Sequence, residues 1–154
     1  MKNLIHKTLI SEAGFAGLVL RLPIGLILAG HGGQKLFAWF GGYGLEATGQ
    51  WMESVGLGPG FVMALLAGSA EFFGGIALML GLLTRTASAI TALTMLVALI
   101  CVHLGHGFFL TTQGIEYALA LLSATSALMI MGGGHFSMDR YLLNSNFLWS
   151  TDHE

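Results

Sequence analysis

The sequence is short of charge and of cysteine. Of its 154 residues, six are Lys or Arg and eight are Asp or Glu, so charged residues make up 9% of the chain, against roughly 25% in a typical soluble domain. So few charges cannot cover a folded surface with polar groups, which excludes an ordinary soluble domain. The formal net charge of −2 and the absence of any basic run give no indication of nucleic-acid binding. Cys101 is the single cysteine and cannot form a disulfide within the chain.

Long apolar segments take the place of the missing charge. Hydrophobic residues make up 55% of the chain, and the mean hydropathy is +0.76. Four segments approach the roughly 20 residues that a membrane-spanning helix needs. They cover about residues 14–37, 61–83, 87–106 and 115–131. Residues 1–154 are therefore predicted to form one domain, an all-α integral membrane four-helix bundle that is antiparallel and up-and-down.

The positive residues predict the orientation of the bundle. Lys2 and Lys7 precede the first helix, Arg85 lies between the second and third, and Arg140 follows the fourth. Lys35 is the only positive residue near the opposite helix ends. Since Lys and Arg are enriched in cytoplasmic segments, both termini are predicted to be cytoplasmic.

The connection between the first two helices permits two interpretations. Its stretch LEATGQWMESV, residues 45–55, can form a short amphipathic helix on the membrane surface. Leu45, Trp51, Met52 and Val55 would then face lipid. An irregular polar loop is the alternative.

Glu71 is the one acid in the second apolar segment. Its helical face consists mainly of small residues, which mark close helix contacts in membranes: Ala67, Gly68, Gly74, Gly75 and Leu78. In hydrocarbon an isolated ionised carboxylate costs at least about 2.5–3.5 kcal/mol, so Glu71 is predicted to face inward, either paired or protonated. Arg21 in the first helix is the candidate partner. Alternatively, Arg21 reaches the lipid phosphates and Glu71 stays neutral.

Other ionisable residues lie near the outer ends of the helices. They are His31 in the first helix, His103 and His106 in the third, and Glu116 in the fourth, on a face with Ala120, Ser123 and Ala127. Ionisable residues inside a membrane are candidates for function, so His31, His103, Glu116 and Glu71 are predicted to form a polar site. The alternative is that they are interfacial residues or fix the helix register.

Several motifs carry a family resemblance. HGGQKLFAWFGGYG at 31–44, LAGSAEFFGGIALMLGLLTR at 66–85, VHLGHGFF at 102–109 and GIEYALAL at 114–121 resemble the DoxX family over about residues 17–140. The resemblance implies a small four-helix protein of the bacterial inner membrane. Some relatives are associated with thiosulfate:quinone oxidoreductase, some with oxidative-stress complexes of superoxide dismutase and a sulfurtransferase, and some with resistance to catechols and quinones. The family's polar positions would be Arg21, His31, Lys35, Glu71, Arg85, His103, Glu116 and Tyr117.

Four functions remain open. In a quinone-linked redox protein, His31 and His103 would bind the quinone carbonyls, with Tyr117 a further candidate contact, and Glu71 or Glu116 would exchange protons. Since the sequence has no dinucleotide fingerprint, CxxC or phosphate loop, electrons would come from a bound substrate or from a soluble redox partner protein. The alternatives are a haem or transition-metal site at His31, His103 and His106, a non-catalytic anchor or assembly subunit, and a small proton-coupled transporter acting as a homo-oligomer.

Overall fold

A computed structural model describes residue 11 and residues 13–144. These residues form six α-helices: α1 (Ala16–Phe37), α2 (Gly44–Ser54), α3 (Gly60–Leu80), α4 (Thr84–Ala98), α5 (Glu116–Met131) and α6 (Met138–Asn144). A π-helical segment, Leu99–His103, and a 3₁₀ turn, Leu104–His106, continue α4. Two further 3₁₀ turns cover Trp39–Gly41 and Leu110–Thr112. The all-helical class is confirmed, because the described part of the chain contains no strand.

Three helices are long and apolar enough to cross a membrane. They are Ala16–Phe37, Gly60–Leu80 and Thr84–His106, whereas α5 has 16 residues and falls short of this length.

The predicted helix boundaries differ from the observed ones by a few residues. Helix α3 ends before the predicted boundary because Gly81, with φ +68°, terminates it in the left-handed conformation. Helix α4 begins before the predicted boundary because the Asp139 carboxylate accepts the N–H of Thr84 at 2.9 Å.

Helices α1 and α3 approach each other at glycines. A β-carbon added to Gly25 would lie 2.5 Å from the Gly75 carbonyl oxygen, and one added to Gly32 would lie 2.6 Å from Phe72 Cα. Such contacts between backbones require glycine. The predicted inward face of Glu71 is confirmed in this contact, since Gly68 and Gly75 are buried with it.

Helix α5 buries a different face from the predicted one. Its buried residues are Ala118, Leu121, Thr125 and Leu128. Leu121 and Leu128 join the hydrophobic core with Leu28 and Leu78, whereas Ala120 and Ser123 are exposed. The face of small residues faces outward because the larger Leu121 and Leu128 fill the core, and the Ser123 hydroxyl donates within its own helix to the Leu119 carbonyl at 2.8 Å.

The connection between α1 and α3 contains the amphipathic helix that was one of its two interpretations. In α2, Trp51 and Val55 are exposed as predicted. Met52 is instead buried with Thr48 and Gly49. This face packs on the start of α3, where a β-carbon on Gly49 would lie 2.9 Å from Phe61 Cα. The helix therefore covers the end of the bundle near Lys35 as well as presenting apolar side chains outward.

Candidate functional site

A buried ion pair joins α1 to α3. Lys35 Nζ donates to Glu71 Oε2 at 2.5 Å. Glu71 is 3% exposed, and the Lys35 side chain is 23% exposed. The pair therefore connects the centre of the bundle with the bundle end at which α1 terminates.

His31 and Tyr117 complete the group around this pair. His31 precedes Lys35 by one helical turn and lies on the same side of α1. The Tyr117 hydroxyl of α5 lies 3.5 Å from His31 Nε2, and the two rings are 6.0 Å apart, centroid to centroid. The charge of Glu71 acts on both of these side chains, and that of Lys35 acts on His31. We call His31, Lys35, Glu71 and Tyr117 the polar cluster; it draws on three helices.

Three aromatic rings lie beside the polar cluster. The centroid of the Phe37 ring is 4.9 Å from that of Trp39 and 5.2 Å from that of Phe72, and the Trp39 and Phe72 centroids are 5.7 Å apart. Phe72 directly follows Glu71, and Phe37 lies two residues beyond Lys35. Phe37 and Trp39 are about half exposed. An accessible aromatic surface thus lies at the end of α1 that carries Lys35 and next in sequence to Glu71.

The predicted Arg21–Glu71 pair is wrong. Arg21 is buried and donates to backbone carbonyls instead: Nη1 to Leu78 at 3.1 Å and to Met79, Nε to Gly133 at 3.3 Å, and Nη2 to Phe136.

The direction of helical side chains explains both pairings. Each Cα–Cβ bond tilts toward the N-terminus of its own helix. On α1 this tilt aims Arg21 away from Glu71, at the last carbonyls of α3, which lack partners within the helix. The same tilt aims Lys35 back toward the centre of the bundle, where Glu71 lies.

Asp139 is a buried acid that the sequence reasoning missed. Its carboxylate accepts the N–H of Leu83 at 2.6 Å and that of Thr84 at 2.9 Å. The Asp139 and Arg21 charges also act on each other. Together these two residues hold the turn between α3 and α4, with Arg21 bonding the end of one helix and Asp139 the start of the next. The sequence did contain a signal for this residue, because acids are scarce in it. An acid beside an apolar segment of a chain with so little charge requires a partner.

His103, His106 and Glu116 hold the loop between α4 and α5. Because a carbonyl can only accept, His103 Nδ1 donates to the Gln113 carbonyl at 2.7 Å, and His106 Nδ1 donates to the Val102 carbonyl at 2.9 Å. Glu116 Oε1 accepts the N–H of Leu110 at 2.5 Å. Their hydrogen bonds are therefore made within this loop region and not to the polar cluster.

The predicted metal set is not assembled. Within the described ranges, no group of three or more His, Cys, Asp or Glu side chains is placed to hold a metal ion. His103 and His106 bond backbone carbonyls, and His31 lies beside Tyr117.

Helices of spanning length around a partly buried polar cluster define a multi-pass membrane protein, and comparison with known proteins agrees. The DoxX family model matches residues 16–104. The chain is 33% identical over 139 residues to "Inner membrane protein YqjF" of Escherichia coli (strain K12), covering 86% of this chain and 95% of that protein. It is 32% identical over 125 residues to "Putative oxidoreductase CatD" of Bacillus subtilis (strain 168), covering 81% and 85%. No solved structure gives a significant match.

The chain belongs to the DoxX family. It is a multi-pass protein of the bacterial inner membrane.

Proposed function

We propose that this chain is a quinone-linked redox protein of the inner membrane, acting as a subunit or membrane partner of a larger redox complex. The observation that carries the proposal is the buried Lys35–Glu71 pair with His31 and Tyr117 beside it. The name of the Bacillus subtilis relative, an oxidoreductase, points in the same direction. The surrounding bilayer would supply an apolar electron carrier.

The topology belongs to the same proposal. We take α5 as a fourth span, because its 16 residues extend about 24 Å at 1.5 Å per residue. Arg85 and Arg140 lie at the bundle end where α4 begins and α5 ends, which the charge rule assigns to the cytoplasm together with both termini. Lys35 and the polar cluster then lie in the outer half of the membrane.

The chemistry of a quinone head group suits the polar cluster. Its two carbonyl oxygens accept hydrogen bonds, for which the Lys35 ammonium and the Tyr117 hydroxyl are donors and the His31 ring a further one. Its flat ring matches the aromatic surface of Phe37 and Trp39. In this proposal His103 and Glu116 position the loop that follows α4 and do not contact the head group.

The reaction moves protons as well as electrons. Reduction of a quinone to a quinol takes up two electrons and two protons at its two oxygens. The polar cluster would donate these protons to the quinone oxygens, and Glu71 would take up the protons that replace them. A partner redox protein or a co-bound reductant would supply the electrons.

Thermal unfolding with a soluble ubiquinone analogue tests this assignment. A ligand that binds only the folded protein stabilises it by RT ln(1 + [L]/Kd), about 2.7 kcal/mol at one hundred times Kd. We expect decylubiquinone to raise the melting temperature of the detergent-solubilised wild type. Tyr117→Phe should weaken binding by about 1 kcal/mol, roughly fivefold, through one lost hydrogen bond.

Ser123→Ala is the matched control, since its exposed hydroxyl bonds only its own helix and the wild-type shift should persist. Equal shifts in wild type and Tyr117→Phe would remove Tyr117 from the site. No shift in any protein would contradict the proposal and favour a non-catalytic anchor.

A further inference from the structure

Two hydroxyl groups of α4 have no hydrogen-bond partner among the residues that the structure describes. Thr84 Oγ1 and Ser88 Oγ are fully buried and make no hydrogen bond within the part of the chain that the structure describes. Nearby hydroxyls in the same bundle behave differently: Thr91 Oγ1 donates to the Ala87 carbonyl at 2.9 Å, and Thr125 Oγ1 donates to the Leu121 carbonyl at 2.8 Å. Because buried polar atoms nearly always bond to protein or to ordered water, the Thr84 and Ser88 hydroxyls indicate water.

The unpartnered hydroxyls belong to a row that follows one face of α4. Thr84, Ser88 and Thr91 are spaced four and then three residues apart, and all three are fully buried. Residues at these spacings have β-carbons about 5–6 Å apart. One water molecule that makes two hydrogen bonds of about 2.8 Å spans such a gap. A hydroxyl has one donor and two acceptor sites, so Thr91 can accept from water while it donates to its helix.

Thr91, at the end of the row farthest from Thr84, packs against α3 one helical turn from Glu71. A β-carbon on Gly74 would lie 2.6 Å from Thr91 Cγ2, so Thr91 packs directly on the α3 backbone. Gly75 faces α1 instead, where its β-carbon would lie 2.5 Å from the Gly25 carbonyl oxygen. At 100° per residue, Glu71 lies on the arc between these two faces, at the centre of the bundle. Glu71 is thus one turn from the glycine that contacts Thr91.

An ionisable group stands at each end of this route. At the lower end, the buried carboxylate of Asp139 accepts the Thr84 N–H at 2.9 Å, next to the exposed Leu83. At the upper end, Glu71 is bonded to Lys35, whose side chain is partly exposed. Buried acids linked by polar side chains are the usual parts of proton relays in membrane proteins.

We infer that the hydroxyls of Thr84, Ser88 and Thr91 bind a file of internal water molecules that relays protons between Asp139 and Glu71. Each oxygen in the file accepts one proton and releases another, so only O–H bonds form and break, and one proton moves per passage. The relay shares Glu71 with the proposed quinone site but operates without quinone. It gives the polar cluster access to protons from the membrane face at which α4 begins.

Proton flux across vesicles tests the relay. The full chain is reconstituted into liposomes that contain the pH dye pyranine, and a potassium gradient with valinomycin makes the interior negative. We expect wild-type vesicles to acidify faster than empty ones. Ser88→Ala should reduce the rate to that of empty vesicles, because its hydroxyl is the middle of the row. Ser123→Ala makes the same substitution on an exposed face and should conduct like wild type.

A second variant separates the relay from a folding defect. Thr84→Val keeps the shape of the side chain and removes the hydroxyl, so it should also lose flux while melting near the wild-type temperature. Wild-type flux in folded Ser88→Ala or in folded Thr84→Val would overturn the relay, as would wild-type vesicles no faster than empty ones. The decylubiquinone shift is measured on the same proteins. A variant that loses proton flux but keeps the decylubiquinone shift in melting temperature supports the relay. Proton flux in wild type without any decylubiquinone shift refutes the quinone site and leaves the relay standing.

Discussion

Lys35→Met should lower the free energy of unfolding, because it removes the charged partner of Glu71. It keeps an unbranched apolar stem and removes the ammonium group that lies 2.5 Å from Glu71 Oε2. Glu71 is left buried, facing the glycines of α1 and α3 without a charged partner. The variant therefore measures what the bundle loses when this carboxylate is unpaired.

The size of the loss can be estimated from the burial of the pair. Removing one partner of a buried ion pair typically costs about 3–5 kcal/mol. Because the Lys35 side chain is 23% exposed, we expect about 3 kcal/mol at pH 7.

Reversible unfolding in mixed detergent micelles is a suitable assay. Glu71→Gln in the Lys35→Met background should recover most of the lost stability, because the double variant buries a neutral amide in place of a charge. Glu46→Gln alters an exposed acid of α2 and should stay within about 0.5 kcal/mol of wild type. A Lys35→Met loss no larger than that of this control, or strict additivity in the double variant, would refute the reasoning.

Two further predictions concern helix packing and the α3–α4 turn. Gly32→Ala should lower the free energy of unfolding by about 1–3 kcal/mol, because its β-carbon would enter the Phe72 backbone. A β-carbon at Gly30 has no neighbouring atom within 4 Å, so Gly30→Ala should be neutral or up to about 1 kcal/mol stabilising. Equal losses of stability in both variants would contradict the close contact at Gly32. Asp139→Asn should cost about 1–3 kcal/mol, because an amide has one acceptor oxygen for two N–H groups. Arg140→Gln is its control in the same unfolding titration, and a loss no larger in Asp139→Asn would argue against the cap.

The sequence was sufficient for the all-helical class, for three helices of spanning length and for the inward face of Glu71. Those predictions depend on hydrophobic length and on the 3.6-residue period, both of which are local properties. The small residues around Glu71 also predicted a close helix contact. In the structure this contact is with α1, where Gly25 and Gly75 allow the two backbones to meet. Helix α2 was open between two interpretations because its turn-rich flanks and mixed polarity suit a loop equally well.

The partner of Glu71 could not be obtained by counting depth along the helices. Depth alone favoured Arg21, but the tilt of the Cα–Cβ bonds reverses the choice, and the unpaired carbonyls at the end of α3 compete for the guanidinium. His103 and Glu116 were assigned to the site by depth in the same way. Their partners are backbone groups of a loop, Gln113 and Leu110, whose conformation no periodic pattern predicts.

The central claim is that a quinone head group binds at the polar cluster, and photoaffinity labelling tests it most directly. Membranes containing the protein are irradiated with an azido-quinone, and the labelled peptides are identified by mass spectrometry. We predict labelling at Phe37, Trp39 or Phe72 that excess decylubiquinone suppresses and that Tyr117→Phe weakens. Labelling that is confined to other parts of the chain, or that excess quinone does not suppress, would contradict the claim.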